Sequence, residues 1–232
     1  AARNCRRSSS SPGASRDRVV GVLGARLKGY LRGNLTYSYE LVDIRQSTYT
    51  GSYYDYYGSY GSSYYSGYYP GYGYGFGKYA VSALIPTIYR STIDSPLTPS
   101  RGNMVLASLK YAGGPLGGEV DFIKPKLEFT FWHPTLSKQV FGFHVLYEFI
   151  KPAGGSQVPF WEKFYIGGER DIRGYDIYSI GPRSDEGQLM GGMKTFVFNA
   201  EYQFHLAEPL NLIFFYDIGN TYLQEQKINF RN

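Results

Sequence analysis

The sequence predicts an all-β chain folded as part of an antiparallel transmembrane β-barrel, and three observations carry that expectation. Aromatic and glycine content is high, with 25 Tyr, 15 Phe and 29 Gly in 232 residues, which favours strands and turns over helices. Apolar residues recur with period two over five or six successive segments, many of them ten or more residues long, whereas strands of soluble proteins average about 5–6 residues. The connections alternate between short and long, the pattern in which short turns face the periplasm and longer loops the exterior. No apolar run approaches the roughly 18 residues that a transmembrane helix needs. A barrel strand needs only about 9–11 residues, with every second one apolar.

Residues 1–27 are basic, Ser/Arg-rich and poorly patterned, so disorder is expected there, or a poorly placed strand around residues 19–23. Residues 1–34 hold Arg3, Arg6, Arg7, Arg16, Arg18, Arg26, Lys28 and Arg32 against Asp17 alone, a charge of +7 that leaves −2 for the rest of a +5 chain. Basicity therefore does not extend to the β region, and a nucleic-acid partner loses its support. Cys5 is the single cysteine, so no internal disulfide forms. Residues 1–18 lack the apolar core of a signal peptide, and the chain does not start with Met, so it reads as a fragment or as a chain with an unusual leader.

From residue 28 onward the alternation is clear. Leu31, Leu35, Tyr37, Tyr39 and Leu41 share one face, with Arg32, Asn34, Thr36, Ser38 and Glu40 on the other. Residues 53–77 break the pattern with a Tyr/Gly/Ser tract, expected as a long extracellular loop; a sticky aromatic surface is the alternative. Val81, Ala83, Ile85, Tyr89 and Ile93 then line one face of residues 80–93, and residues 104–111 form a shorter candidate. Ile123, Leu127, Phe129 and Phe131 oppose Lys124, Lys126, Glu128 and Thr130; Phe141, Phe143, Val145, Tyr147 and Phe149 oppose Gly142, His144 and Glu148. Phe196, Phe198, Ala200, Tyr202 and Phe204 oppose Thr195, Asn199, Glu201, Gln203 and His205. Leu210, Leu212, Phe214, Tyr216 and Ile218 oppose Asn211, Asp217 and Thr221. A soluble sandwich would also tolerate the charged faces; the dense Phe, Tyr and Leu faces favour lipid.

Residues 151–194 exceed an ordinary hairpin loop of about 2–5 residues, and loops of such length are functional or disordered. This one contains Gly167-Gly168-Glu169-Arg170-Asp171-Ile172-Arg173-Gly174-Tyr175 and Pro182. An arginine folded into a barrel must find anions, because a buried unpaired guanidinium is costly. Glu201 and Asp217 lie on the polar faces of the next two strands, so Arg173 is expected to reach both, in bidentate fashion where geometry permits. Gly174 would allow a tight turn and Tyr175 would pack at the tip. The plain alternative is that carboxylates on a solvated face have no partner.

The Gly-Gly pair followed by Ile172-Arg173-Gly174-Tyr175 resembles the signature loop of the BamA-like outer-membrane assembly factors. Residues 161–165 (Trp-Glu-Lys-Phe-Tyr), residues 180–182 (Ile-Gly-Pro) and the turn from Asp94 through Pro96 and Pro99 to Gly102 are similar to that family in order and spacing over about residues 80–222. The resemblance implies a sixteen-stranded barrel preceded by POTRA domains, of which about seven or eight strands would lie here, as a C-terminal barrel fragment. It implies that Arg173 braces the lumen through Glu201 and Asp217. It also implies function: a factor inserting and folding β-barrel proteins in the outer membrane of a Gram-negative bacterium. Partners would be the bilayer, unfolded outer-membrane clients and assembly-complex lipoproteins, with no cofactor or metal. A two-partner secretion or TamA-like export barrel shares the motif, and a small stand-alone barrel acting as adhesin or anchor is allowed by length. An enzyme is not expected. His133, His144 and His205 have no metal-ligand spacing, and His144 and His205 fit lumen polar groups. The glycine run of residues 71–77 has no helix after it to hold a phosphate.

Overall fold

The computed structural model describes residues 14–44, 77–185, 187–207 and 210–229. Cys5, residues 53–76 of the Tyr/Gly tract and residues 230–232 lie outside them. Nine strands form one sheet: β1 (Ala14–Lys28), β2 (Leu31–Ile44), β3 (Gly77–Ser91), β4 (Gly102–Ala112), β5 (Phe122–Pro134), β6 (Gln139–Phe149), the two-residue β7 (Lys151–Pro152), β8 (Lys194–Ala207) and β9 (Leu210–Tyr222). Each strand pairs antiparallel with the next along β1-β2-β3-β4-β5-β6-β8-β9, and β7 adds to β5. The eight long strands run 11 to 15 residues, enough to cross the roughly 30 Å hydrocarbon layer at a tilt. No described helix is long and apolar enough to cross a membrane, which says nothing of strands.

Of the two expectations for residues 1–27, the strand around residues 19–23 is the one met, and it is longer than expected: β1 occupies Ala14–Lys28 and pairs along its length with β2, while residues 1–13 lie outside the described residues. The strand escaped the period-two reading because residues 19–23 are apolar on both faces apart from Gly21. Pairing Arg18 with Glu40 sets Val20 and Val22 on one side and Val19, Leu23 and Leu27 on the other. Neighbouring β2, whose alternation is clean, fixes the register: Glu40 is buried and ion-paired with Arg18, whose Nε is 3.0 Å away, and with Arg16, whose Nη1 is 3.8 Å away.

One face of the sheet carries the loop, and the other stays bare. The bare face holds Tyr37, Leu127, Phe214 and Tyr216, which are 42, 56, 60 and 61% exposed. A soluble sandwich would bury these side chains against a second sheet; a continuous apolar face left open is a lipid-facing surface. Strand β3 departs from the expected polarity. Val81 pairs with Glu40 and Ala83 with Ser38, so this apolar face looks inward. There Val81 and Ala83 join Ala112, Val120, Phe122, Ile150, Val158, Phe164 and Met193 in a buried cluster that the long loop completes. The lumen side thus carries an apolar cluster at β3 and at the ends of β4 and β5 beside Ala112 and Phe122, next to the charged Lys110, Lys124, Lys126 and Glu128 of β4 and β5.

A two-residue turn at Gly29-Tyr30 and the four residues between β5 and β6 are short against the long loop after β6, but residues 113–121 are no longer than residues 92–101, so the expected short–long alternation is not strict. In the 92–101 turn, Asp94 Oδ1 accepts the backbone N–H groups of Ser95, Ser100 and Arg101, and its other oxygen accepts the Ser100 hydroxyl. The Ser100 hydrogen bonds hold the Asp94 carboxyl well below its ordinary range. The sheet is open among the described residues, since β1 and β9 do not pair. A stand-alone eight-stranded barrel would join them.

On the inner face Trp132 lies beside Gly142, and a Cβ on Gly142 would fall 2.2 Å from the Trp132 ring. Gly142→Val is expected to destabilise the barrel by about 1–3 kcal/mol, as overpacking does. Adding Trp132→Ala should recover much of that loss in urea unfolding of the full-length protein. An additive double variant would show that the ring does not occupy the glycine's space.

Candidate functional site: an arginine loop clamped to the inner wall

Residues 153–193 run over the inner face in two halves. Backbone bridges pin the loop to itself, with Phe164 on Gly192, Ile166 on Ile180 and Gly168 on Ile172. The Gly167 and Gly168 φ angles of 120° and 96° are conformations other residues rarely adopt, and both give way to the returning 176–179 strand of the loop. Ile166 and Ile172 are buried with Val197 against Leu146 and Ile180. Ile172 fits only because its neighbour on β9 is Gly219: a Cβ there would stand 3.0 Å from Ile172 Cδ1 and 2.7 Å from the Phe196 carbonyl oxygen. Gly219→Ala is expected to unseat Ile172 and raise amide hydrogen exchange over residues 168–175 roughly tenfold, about 1–2 kcal/mol of local stability. Unchanged exchange there would show that the wall yields instead.

Anchored in this way, the chain presents Arg173 to two carboxylates. Its Nε donates to Asp217 Oδ2 at 2.7 Å and its Nη2 to Asp217 Oδ1 at 2.6 Å, a fork-on-fork pair. The Arg173 backbone N–H also reaches Asp217 Oδ2, at 3.0 Å. Nη1 donates to Glu201 Oε1 at 2.5 Å. The guanidinium lies over the Phe215 ring, 3.9 Å from its centre, a cation–π contact that covers the charge. The Asp217 side chain is only 3% exposed. Its hydrogen bonds push the Arg173 guanidinium above its already high ordinary value, so this cation is permanent. Gly174 takes a φ of 85° directly after it. Tyr175 does not pack at the tip: it is 60% exposed and stands at the rim of a cleft of about 420 Å³ between the loop and the end of β9.

Beyond the residues read from sequence, a polar chain continues along the wall. Asn199 joins Asp217 to His144, His144 joins Asn199 to Glu128, and Lys126 joins Glu128 to Glu148. Gln203 Nε2 donates to the second Glu201 oxygen at 3.0 Å. His144 thus occupies the inner polar face, as His205 does in its pair with Asn211; His133 faces outward and stacks on Phe131.

The first half of the loop has its own clamp. Glu162, buried, accepts Lys110 Nζ at 2.7 Å, and Lys124 Nζ lies 3.6 Å from its other oxygen and 2.8 Å from its backbone carbonyl. Burial alone would push the Glu162 carboxyl up; the Lys110 and Lys124 charges outweigh it and hold the carboxyl low. The signal in sequence was a carboxylate among aromatics, with Lys124 legible on the polar face of its strand; the sequence pattern placed Lys110 on no face.

Long membrane-length strands, a bare apolar face and an ion-paired loop on the opposite face define an outer-membrane-type β-barrel with an occupied lumen. The chain belongs to the Omp85 superfamily, whose domain matches residues 3–232. It is 35% identical over 143 residues to the outer membrane protein assembly factor BamA of Nitratidesulfovibrio vulgaris, covering 60% of this chain and 18% of that protein. The sorting and assembly machinery component 50 homolog of Homo sapiens is 33% identical over 99 residues, covering 43% of this chain and 21% of that protein. The chain therefore spans about a fifth of the length of these relatives. The crystal structure of Haemophilus ducreyi BamA lacking POTRA domains 1–3 superposes with a TM-score of 0.67 at 16% identity, over 91% of this chain and 42% of that one.

Proposed function

We propose that this chain works as part of an outer-membrane protein assembly factor, which inserts and folds β-barrel proteins in the outer membrane. The observation that carries the reading is the Arg173 clamp: a loop bearing Ile172-Arg173-Gly174-Tyr175 held on the inner wall through Asp217 and Glu201. Similarity to BamA and to the component 50 homologs supports it. The bacterial relative matches more of the chain at slightly higher identity, which favours the outer membrane of a Gram-negative bacterium.

In hydrocarbon every unpaired backbone N–H and C=O costs several kcal/mol. An inserting factor must lower that cost for a client whose strands are not yet paired. The chemistry needed is a wall that holds its shape while a client strand pairs with it, not a reacting group. The loop residues act as that brace: Arg173 ties three inner-face positions, on β8 and β9, to one turn. The partners of this reading are the bilayer, unfolded outer-membrane clients and assembly-complex lipoproteins.

The test is reconstitution of the full-length protein in liposomes with a urea-unfolded outer-membrane barrel as client. Folding is read as the heat-dependent gel shift of the client. The assembly reading expects faster client folding than in protein-free liposomes. No acceleration, with release of a secreted passenger through the barrel instead, would replace it by an export pore.

A further inference from the structure

The hydrogen bonds around Asn199 fix the orientation of its amide and, through it, the protonation of His144. Asn199 Nδ2 donates to the Asp171 carbonyl oxygen at 2.7 Å and to Asp217 Oδ1 at 2.9 Å. Turning the amide over would set its oxygen against those two acceptors. The Asn199 oxygen therefore faces His144 Nδ1, at 3.0 Å, and Nδ1 must carry a hydrogen. The other ring nitrogen, Nε2, lies 3.2 Å from Glu128 Oε1. The second Glu128 oxygen receives Lys126 Nζ at 3.1 Å, the arrangement of an ionised carboxylate. Nε2 therefore needs a hydrogen too, and a neutral imidazole has only one.

We propose that His144 sits in the barrel wall as an imidazolium and acts, through Asn199, as a positioning residue that holds the 171–173 turn over Asp217. The charges around it agree. Without His144, the cations Lys124, Lys126, Arg170 and Arg173 would face Glu128 from β5, Glu148 from β6, Glu201 from β8, Asp217 from β9 and Asp171 from the loop, with Lys124 shared with Glu162. A cation at His144 offsets part of that excess and directs one donor to each side of the ring. Loss of the second proton would set a bare ring nitrogen against Glu128 or against Asn199, and the Asn199 bond to the turn would weaken while the four from Arg173 remain. The hold on the turn is then tightest at low pH and weaker as pH rises through the ring's titration. The inference rests on the assembly reading only for the purpose of a seated loop.

Two measurements on the full-length protein in lipid nanodiscs test it, and neither uses a client, so they stand or fall apart from the assembly reading. The first is nitrogen-15 NMR of the histidine rings, with His144 assigned by loss of its signals in His144→Gln. Both ring nitrogens are expected to be protonated at about pH 7; a single neutral tautomer there would overturn the proposal. The second is a spin label at Ile177→Cys in a background with every other cysteine, Cys5 included, replaced by Ser, since Ile177 is exposed beside the turn. The immobilised component should shrink at the pH where the NMR titration shows the ring losing a proton. Glu128→Gln should keep it unchanged there, because an amide can donate to a neutral ring. Asn199→Asp, which keeps the shape but replaces the donor, should shrink it at every pH. Immobilisation in Asn199→Asp equal to that of the parent protein would sink the positioning role.

Discussion

Arg173→Ala in the full-length protein is expected to cut client assembly severely and to release the loop from the wall. The substitution leaves Asp217, 3% exposed, without its fork partner, and Glu201 without its nearest cation. Removing one member of a buried ion pair costs about 3–5 kcal/mol, and the solvent reaching Arg173 argues for the lower figure. About 3 kcal/mol is more than a hundredfold in the ratio of seated to released loop. The measurement is assembly of outer-membrane clients in cells carrying only the variant, alongside protease cleavage within residues 168–178. The two carboxylates should not be equal. Asp217 takes two side-chain bonds and a backbone bond from Arg173, whereas Glu201 takes one. Asp217→Ala should therefore approach Arg173→Ala, with Glu201→Ala milder. Exchanging charges between positions 173 and 201 should restore assembly only in part, because Asp217 stays unpaired. Arg173→Lys should fall between, since an ammonium cannot make the planar fork. Normal assembly with Arg173→Ala alone would remove the brace from the mechanism.

Glu162→Gln should release the other half of the loop. The change keeps shape and volume but deletes the one carboxylate that Lys110 and Lys124 share. Two ammonium groups would then lie side by side on the inner face, Lys110 over the Phe122 ring and Lys124 over the Phe164 ring, with less to balance them. A loss of about 3 kcal/mol is expected, at the low end of the range for a broken buried pair. Hydrogen exchange should speed up over residues 158–166 more than over 168–175, because the second half keeps its own clamp at Asp217. Lys110→Met added to Glu162→Gln should recover part of the loss by removing one uncompensated charge. Equal loosening of both halves would mean that the loop moves as one unit and that the two clamps are not independent.

Most of the barrel was legible because a strand with one face in lipid must alternate, and period two is visible in a single sequence. β2, β5, β6, β8 and β9 show it residue by residue; outward Tyr37, Leu127, Phe214 and Tyr216 stand exposed, while the outward aromatics of β6 are half-buried against one another and against neighbouring strands. The candidate site was legible for a related reason: an inward arginine needs carboxylates, and Glu201 and Asp217 were the nearest on polar faces. What stayed hidden depended on neighbours far along the chain. β1 reads as irregular until Glu40 sets its register. β3 is apolar on both faces, and the face of Val81 and Ala83 turns inward, because a lumen filled by the protein's own loop rewards burial as lipid does. Periodicity shows that two faces differ and cannot show which of them meets lipid. Tertiary structure alone decided the pairing of Glu162 with Lys110 and Lys124, 52 and 38 residues away, and the run from Arg173 through Asn199 to His144. Hydrogen bonds across strands are set by register and loop path, and neither quantity is written in the local pattern.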